Sequence, residues 1–167
     1  MTRRTALIVA VPEAEAFVGE IRRAHDWSAS VGVPAHITIL FPFATPEDVD
    51  ESELAAVFAR LPGFGFELSS VERFEDGVTW LRPTPSEPFL ALTGAVVRRW
   101  PEYPPYEGVH ETVIPHLTVA EIDVALELDD PIRAHAHEVQ LIEETVAGGR
   151  WASRATFALR SAQRGVA

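Results

Sequence analysis

Two short stretches of this chain have residue types and spacing that could do chemistry. "PAHITILFPF", Pro34 to Phe43, and "IPHLTVAE", Ile114 to Glu121, each set a His, one apolar residue and a Thr inside an apolar run. Side chains alternate along a strand. His36, Thr38 and Leu40 would therefore share one face of the first run, against Ile37, Ile39 and Phe41. In the second run His116 and Thr118 share a face against Leu117 and Val119. The apolar faces predict burial, and each opposite face then offers an imidazole and a hydroxyl about 7 Å apart. Two imidazoles near neutral pH can divide into a general base and a general acid. Two hydroxyls can donate to non-bridging phosphate oxygens. If both strands meet at one cleft, the set suits in-line displacement at a phosphodiester. One His takes a proton from water or a 2′-hydroxyl and the other protonates the leaving oxygen, with charge stabilised by imidazolium and hydroxyl dipoles and no metal. His36 and His116 are thus the catalytic candidates, and Thr38 and Thr118 the phosphate-binding ones.

Either His alone would read as a satisfied histidine at a strand end; two, each followed by Thr and each within a repeat, point to a site. Other residues weigh less. His36, His110, Glu111 and His116 could ligate a metal, but the sequence lacks the His-Glu-x-x-His spacing, so neither a metal nor another cofactor is expected. Tyr103 and Tyr106 lie in the Pro-rich "PEYPPYEG" just before the second motif, and with Phe43 they are candidates for a substrate rim. Phe41 points with the core residues. Trp80 and Trp151 read as packing residues. Arg82, Arg150 and Arg154 could clamp a phosphate but read first as solvated arginines. Glu72 and Glu143 read as hairpin acids rather than as groups that orient a His. His135 and His137 read as surface residues, and His25 ends a helix, where a cation complements the dipole.

Elements must hold these motifs in place. Thr5–Val11 reads as a strand and Pro12–His25 as a helix with Pro at its start. Ala35–Phe41 is a strand. "TPEDVDESELAAVFARLP" opens with Thr-Pro-Glu-Asp, a cap and first-turn signature, and its second part runs as a helix to Arg60. Phe64–Phe74 and Val78–Arg82 form a hairpin around "EDG". Ser86–Trp100 reads as an amphipathic helix, Pro115–Ala120 as a strand, and the stretch to about Ala136 as a short helix or irregular segment. His137–Val146 and Arg150–Leu159 form a closing hairpin around "AGG". Val71, Glu72, Gly77 and Trp80 of the first hairpin recur 71 residues later as Ile142, Glu143, Gly148 and Trp151. The chain reads as two lobes related by a pseudo-twofold axis, about 1–85 with the first motif and hairpin, about 86–167 with the second.

The composition narrows the function. The chain has 167 residues, 47% of them hydrophobic, which is ordinary for a globular domain. It has no Cys, which excludes disulfides, thiol nucleophiles and thiolate metal sites. All 14 Lys-plus-Arg residues are Arg, which excludes a lysine nucleophile, a Schiff base and a lysyl–nucleotide ligase intermediate. The formal charge of −11 argues against grip on long nucleic acid, so a nucleotide ligand is expected to be short. The apolar run Ala6–Val11 is too short for a signal-peptide core, and no run approaches the ~20 residues of a membrane span, so a cytoplasmic protein is expected.

With its paired "HITI" and "HLTV" motifs inside a repeat, the sequence resembles the 2H phosphoesterase superfamily, the family of the 2′–5′ RNA ligase-like proteins and RNA 2′,3′-cyclic phosphodiesterases. The resemblance spans nearly the whole chain through the repeat. It implies an α+β fold of duplicated antiparallel sheets, bilobal, with flanking helices and a central cleft between the two motifs. It implies a phosphodiesterase acting on a 2′,3′-cyclic phosphate or a 2′–5′ linkage of a nucleotide or RNA end. RNA-acting members often place a basic residue after the second motif, where this chain has Glu121; that favours a small nucleotide or short RNA end as substrate. Reverse ligation is a weaker expectation than hydrolysis in water. The alternative is a nucleotide- or phosphate-binding sensor on the same scaffold. A monomer is expected.

Overall fold

A computed structural model describes residues 1–110 and 112–161 of the chain. Its strands are β1 (Thr5–Ala10), β2 (His36–Leu40), β3 (Phe64–Arg73), β4 (Thr79–Thr84), β5 (Leu117–Ala120), β6 (Ile132–Ala136), β7 (Glu138–Glu144) and β8 (Trp151–Ala158). Its helices are α1 (Glu15–His25), α2 (Trp27–Ser30), α3 (Glu51–Ala59) and α4 (Glu87–Arg99). The strands join edge to edge in one eight-stranded sheet, in the order β6-β3-β4-β5-β2-β1-β7-β8. Every pairing within it is antiparallel.

Local sequence accounts for most of these elements. Pro12 opens a short 3-10 turn, and α1 follows from Glu15. Pro46–Asp48 likewise form a 3-10 turn, and α3 starts only after Asp50, whose side chain accepts the Glu53 N–H at 3.1 Å. Gly77 and Gly148, the glycines of the repeat, sit in the two hairpin turns at φ 95° and 73°, a region that favours glycine. The repeat extends to a cross-hairpin ion pair. Glu72 meets Arg82 at 2.7 Å, and Glu143 meets Arg154 at 3.3 Å.

The segment before the closing hairpin was expected to be a short helix or irregular run, but it ends in strand β6. Ile132 and Ala136 of β6 are buried, Arg133 and His135 are exposed, and the strand pairs with the first half of β3. Its alternation is short and built partly on alanine, so the pairing with β3 decides its form more than its own pattern does.

The sheet also divides differently from the chain. One half is β1, β2, β7 and β8; the other is β3, β4, β5 and β6. The first hairpin therefore lies beside the second His strand, and the boundary near residue 85 does not separate two lobes. The halves are related as β1-α1-β2 is to β4-α4-β5. Each helix crosses over: α1 packs on β5 and α4 packs on β2. The buried apolar side chains of α1, α3 and α4 pack into one cluster with Ile37, Ile39, Leu117 and Val119. Each fully buried Leu, Ile or Phe of that cluster contributes about 1.5–3 kcal/mol. The helices thus cover one face of the sheet centre and leave the other open.

Candidate functional site

The two motif strands are neighbours. Ile37 and Leu117 are register partners across β2 and β5, and both are completely buried. An antiparallel register carried one residue each way sets His36 across from Thr118 and Thr38 across from His116. All four side chains point away from the buried Ile37 and Leu117, are half-buried, and line one cleft of about 770 Å³.

The two imidazoles are anchored in the same way. His36 Nδ1 lies 2.8 Å from the Pro34 carbonyl, and His116 Nδ1 lies 2.7 Å from the Ile114 carbonyl. A carbonyl can only accept, so each Nδ1 carries the hydrogen and each neutral ring presents the Nε2 lone pair. The carbonyl two residues before each His is thus part of the site. Sequence reading missed it, because any residue could supply that carbonyl; only the path of the backbone into each strand aims it.

Both histidines are harder to protonate than a free imidazole. Burial holds His36 down, from an ordinary 6.5 to about 4, and the Arg22 and His116 charges add to this against the Pro34 carbonyl and Asp26. Burial also lowers His116, with the Ile114 carbonyl opposing. The surroundings of the two rings differ. Phe74 meets His116 edge-on at 5.1 Å, and buried Trp80 lies 5.9 Å away. His36 instead feels the ion pair of Arg22 with Asp26, Nε to Oδ2 at 3.0 Å. The Asp26 carboxylate also caps α2 through the Ser28 N–H at 3.0 Å.

The aromatic rim differs from the expectation. Tyr106 does line the cleft beside Thr38, where burial pushes its phenol up and the Thr38 hydroxyl opposes this; its N–H donates to the Phe41 carbonyl at 2.7 Å. Tyr106 and Glu107 both hold left-handed backbone, at φ 51° and 56°, which non-glycine residues rarely adopt. Phe43 and Tyr103 do not line the cleft. Phe43 is buried in the core against Trp100 and Tyr103, with ring centroids 5.6 and 5.2 Å away. Phe41 does line it, and Leu40 is in the core. The cause is an irregularity in β2: Leu7 pairs with Leu40 while Ile8 pairs with Thr38, leaving Ile39 as an extra residue. One inserted residue reverses the alternation beyond it.

Trp27 also lines the cleft and is 48% exposed, a residue sequence reading passed over. The signal was present in "HDWS", an Asp followed two residues later by Ser, which marks a capped turn that throws Trp27 outward. His110 lies on the wall, edge-on to Tyr106 at 5.6 Å; Glu111 lies outside the described residues. Arg82, Arg150 and Arg154 do not line the cleft, and Arg82 and Arg154 are tied to Glu72 and Glu143. Trp80 and Trp151 are buried, but Trp80 is across from Thr118 whereas Trp151 is on the edge strand. His135 and His137 stack on each other at 4.1 Å on the surface. Among the described residues, no group of three or more His, Asp or Glu side chains forms a metal-ligand set. No helix among them is long and apolar enough to cross a membrane.

A family model described as the 2'-5' RNA ligase superfamily matches residues 10–147. Solved structures with the same fold include Escherichia coli LigT complexed with 3'-AMP, at 20% identity and TM-score 0.63, covering 95% of this chain and 99% of that one. LigT complexed with NADP+ matches at 20% identity and TM-score 0.64, covering 95% and 98%. TT0787 of Thermus thermophilus matches at 20% identity and TM-score 0.62, also covering 95% and 98%. No curated protein matches the sequence.

Proposed function

The chain belongs to the 2'-5' RNA ligase superfamily, and from that premise we propose that it is a metal-independent phosphodiesterase that opens a 2′,3′-cyclic phosphate, or cleaves a 2′–5′ linkage, of a nucleotide or short RNA end. The observation that supports this reading most is the matched anchoring of the two rings. His36 and His116 both spend Nδ1 on a backbone carbonyl and keep Nε2 for a cleft that Thr38 and Thr118 share.

In this mechanism His36 is the general base. It is held down to about 4, so it is neutral through the physiological range and its Nε2 can take a proton from water. The water oxygen forms a bond to phosphorus as the bond from phosphorus to the ribose oxygen breaks. His116, as imidazolium, gives its Nε2 proton to that leaving oxygen. The Thr38 and Thr118 hydroxyls hold the non-bridging oxygens, with the Tyr106 phenol on the same cleft wall beside Thr38. Exchange with solvent then restores both rings. With a 5′-hydroxyl in place of water the same displacement would join it to a cyclic phosphate, but water is the more abundant nucleophile. LigT was crystallised with 3'-AMP and with NADP+, which supports a ligand of nucleotide size. On this reading the protein works in the cytoplasm as a monomer.

The test is turnover of 2′,3′-cyclic nucleotides, 2′–5′-linked dinucleotides and cyclic-phosphate-ended oligonucleotides, each with and without excess EDTA. Hydrolysis of at least one substrate, insensitive to EDTA, is expected. No turnover of any, or loss of turnover with EDTA, would overturn the proposal; binding without hydrolysis would make the protein a sensor.

A further inference from the structure

Resting on that reading, we propose that the cleft selects a substrate with one negative charge, a lone phosphodiester on a nucleoside-sized body. Glu75, Asp76 and Glu121 would turn away substrates that carry further phosphates.

Four carboxylates line the cleft, those of Asp26, Glu75, Asp76 and Glu121, and no arginine does; the chain has no lysine to offer. Asp26 is answered by Arg22 at 3.0 Å. The other three have no ion-pair partner among the described residues. Glu75 and Asp76 stand on the β3–β4 turn, and Glu121 directly follows β5 and donates its N–H to the His25 carbonyl, so the three line the cleft where β5 ends. The turn is fixed: Asp76 accepts the Val78 N–H at 3.1 Å, and Gly77 takes the left-handed φ of 95°. Arginines close in sequence are occupied. Arg73 bonds Asp123 at 2.6 Å and the Val124 carbonyl at 2.7 Å, and Arg82 bonds Glu72 at 2.7 Å.

That leaves His36, His110 and His116 as the lining groups that can turn positive, and the proposed reaction uses two of them. A site for a polyanion would place arginines along the path of the phosphates. Here a second phosphate would enter among three carboxylates, and the repulsion would be screened by salt. The rest of a small substrate is provided for. Trp27, Phe41 and Phe74 give a base stacking surface. Carboxylates at the rim can accept from base amino groups and ribose hydroxyls.

The salt dependence has a distinctive sign. A polyanion held by cations binds more weakly as salt rises; here a phosphate-rich substrate should be used better. The experiment compares adenosine 2′,3′-cyclic phosphate with its 5′-phosphorylated form at low and high ionic strength. It reads kcat/KM on the wild type and Kd on His116→Ala, in which turnover should be slow enough for binding to be read. The form without the 5′-phosphate should be favoured about tenfold at low salt. The gap should narrow at high salt and in the double variant Glu75→Gln/Asp76→Asn, whose new amide oxygen keeps the turn's acceptor. Equal or better use of the 5′-phosphorylated form overturns the inference, as does a gap that neither salt nor the double variant moves, or no binding of either form. If the cyclic phosphate binds but the wild type does not hydrolyse it, the proposed function fails while the two Kd values still decide the charge rule.

Discussion

Arg22 and Asp26 form a buried ion pair one helical turn apart, Nε to Oδ2 at 3.0 Å, and the charges of both reach His36. The same guanidinium donates to Ser28 Oγ and to the Val33 carbonyl, both at 3.1 Å. This cluster ties the end of α1 to the entry of β2, so it sets where His36 stands. It also makes His36 electrostatically unlike His116, although the two strands repeat each other.

Asp26→Ala leaves a buried guanidinium without its carboxylate. Breaking a buried pair on one side costs about 3–5 kcal/mol. The urea midpoint should fall accordingly, and Asp26→Asn, which keeps a hydrogen-bond acceptor, should lose less. An unchanged midpoint in Asp26→Ala would mean the pair holds nothing in place.

The pH–rate profile should sit on the acid side of neutrality. The base must be neutral, so kcat/KM rises as pH passes His36 near 4. The acid must be protonated, so kcat/KM falls as pH passes His116, which burial keeps below its ordinary 6.5. A bell with its maximum between those limits is expected for the free enzyme. A maximum above pH 7 would count against the assignment of His116 as the acid.

Stability should follow His36 as well. The unfolded ring titrates near 6.5 and the folded one near 4, so between those values the unfolded state binds more protons. Stability from this group is complete above about 6.5 and is lost as pH falls toward 4. Because the ring is only half-buried, the loss is on the order of 2 kcal/mol. His36→Gln should flatten the fall of Tm over that window relative to the wild type.

His36→Gln and His116→Gln should each lower kcat by about 10²–10⁴ while the fold persists, the usual range for losing a general acid or base. The informative contrast is the profile. His36→Gln should lose the limb near 4, and His116→Gln should lose the alkaline limb. Full activity in either variant would remove the histidine pair from the mechanism.

Trp27→Ala should raise KM with little change in kcat, because a stacking surface grips ground state and transition state alike. Stacking is worth about 1–3 kcal/mol per base, so a rise of roughly 5- to 150-fold is expected for nucleoside substrates. The effect should vanish for a cyclic phosphate on a small diol with no base. An equal effect on that small substrate would show that Trp27 shapes the cleft instead.

Much of this molecule was legible in its residues. Alternation put Ile37 and Leu117 inward and His36, Thr38, His116 and Thr118 together on the other face, because a strand's two faces follow from its backbone alone. Hairpin glycines and the proline starts were likewise local signals, whereas the helix cap expected at Thr45–Asp48 fell to Asp50 instead. The rest depended on partners distant in sequence. Nothing in "HITI" or "HLTV" says that β2 and β5 are neighbours; burying the shared apolar face under the crossed helices α1 and α4 decides it. The extra residue at Ile39 exists only relative to β1, yet it sends Phe41 to the cleft and Leu40 to the core. Tyr103 and Tyr106, three residues apart in one loop, parted for a similar reason: one found the Phe43 ring, the other the Phe41 carbonyl. Short-range chemistry chose the reactive groups, and packing between remote segments chose which of them meet.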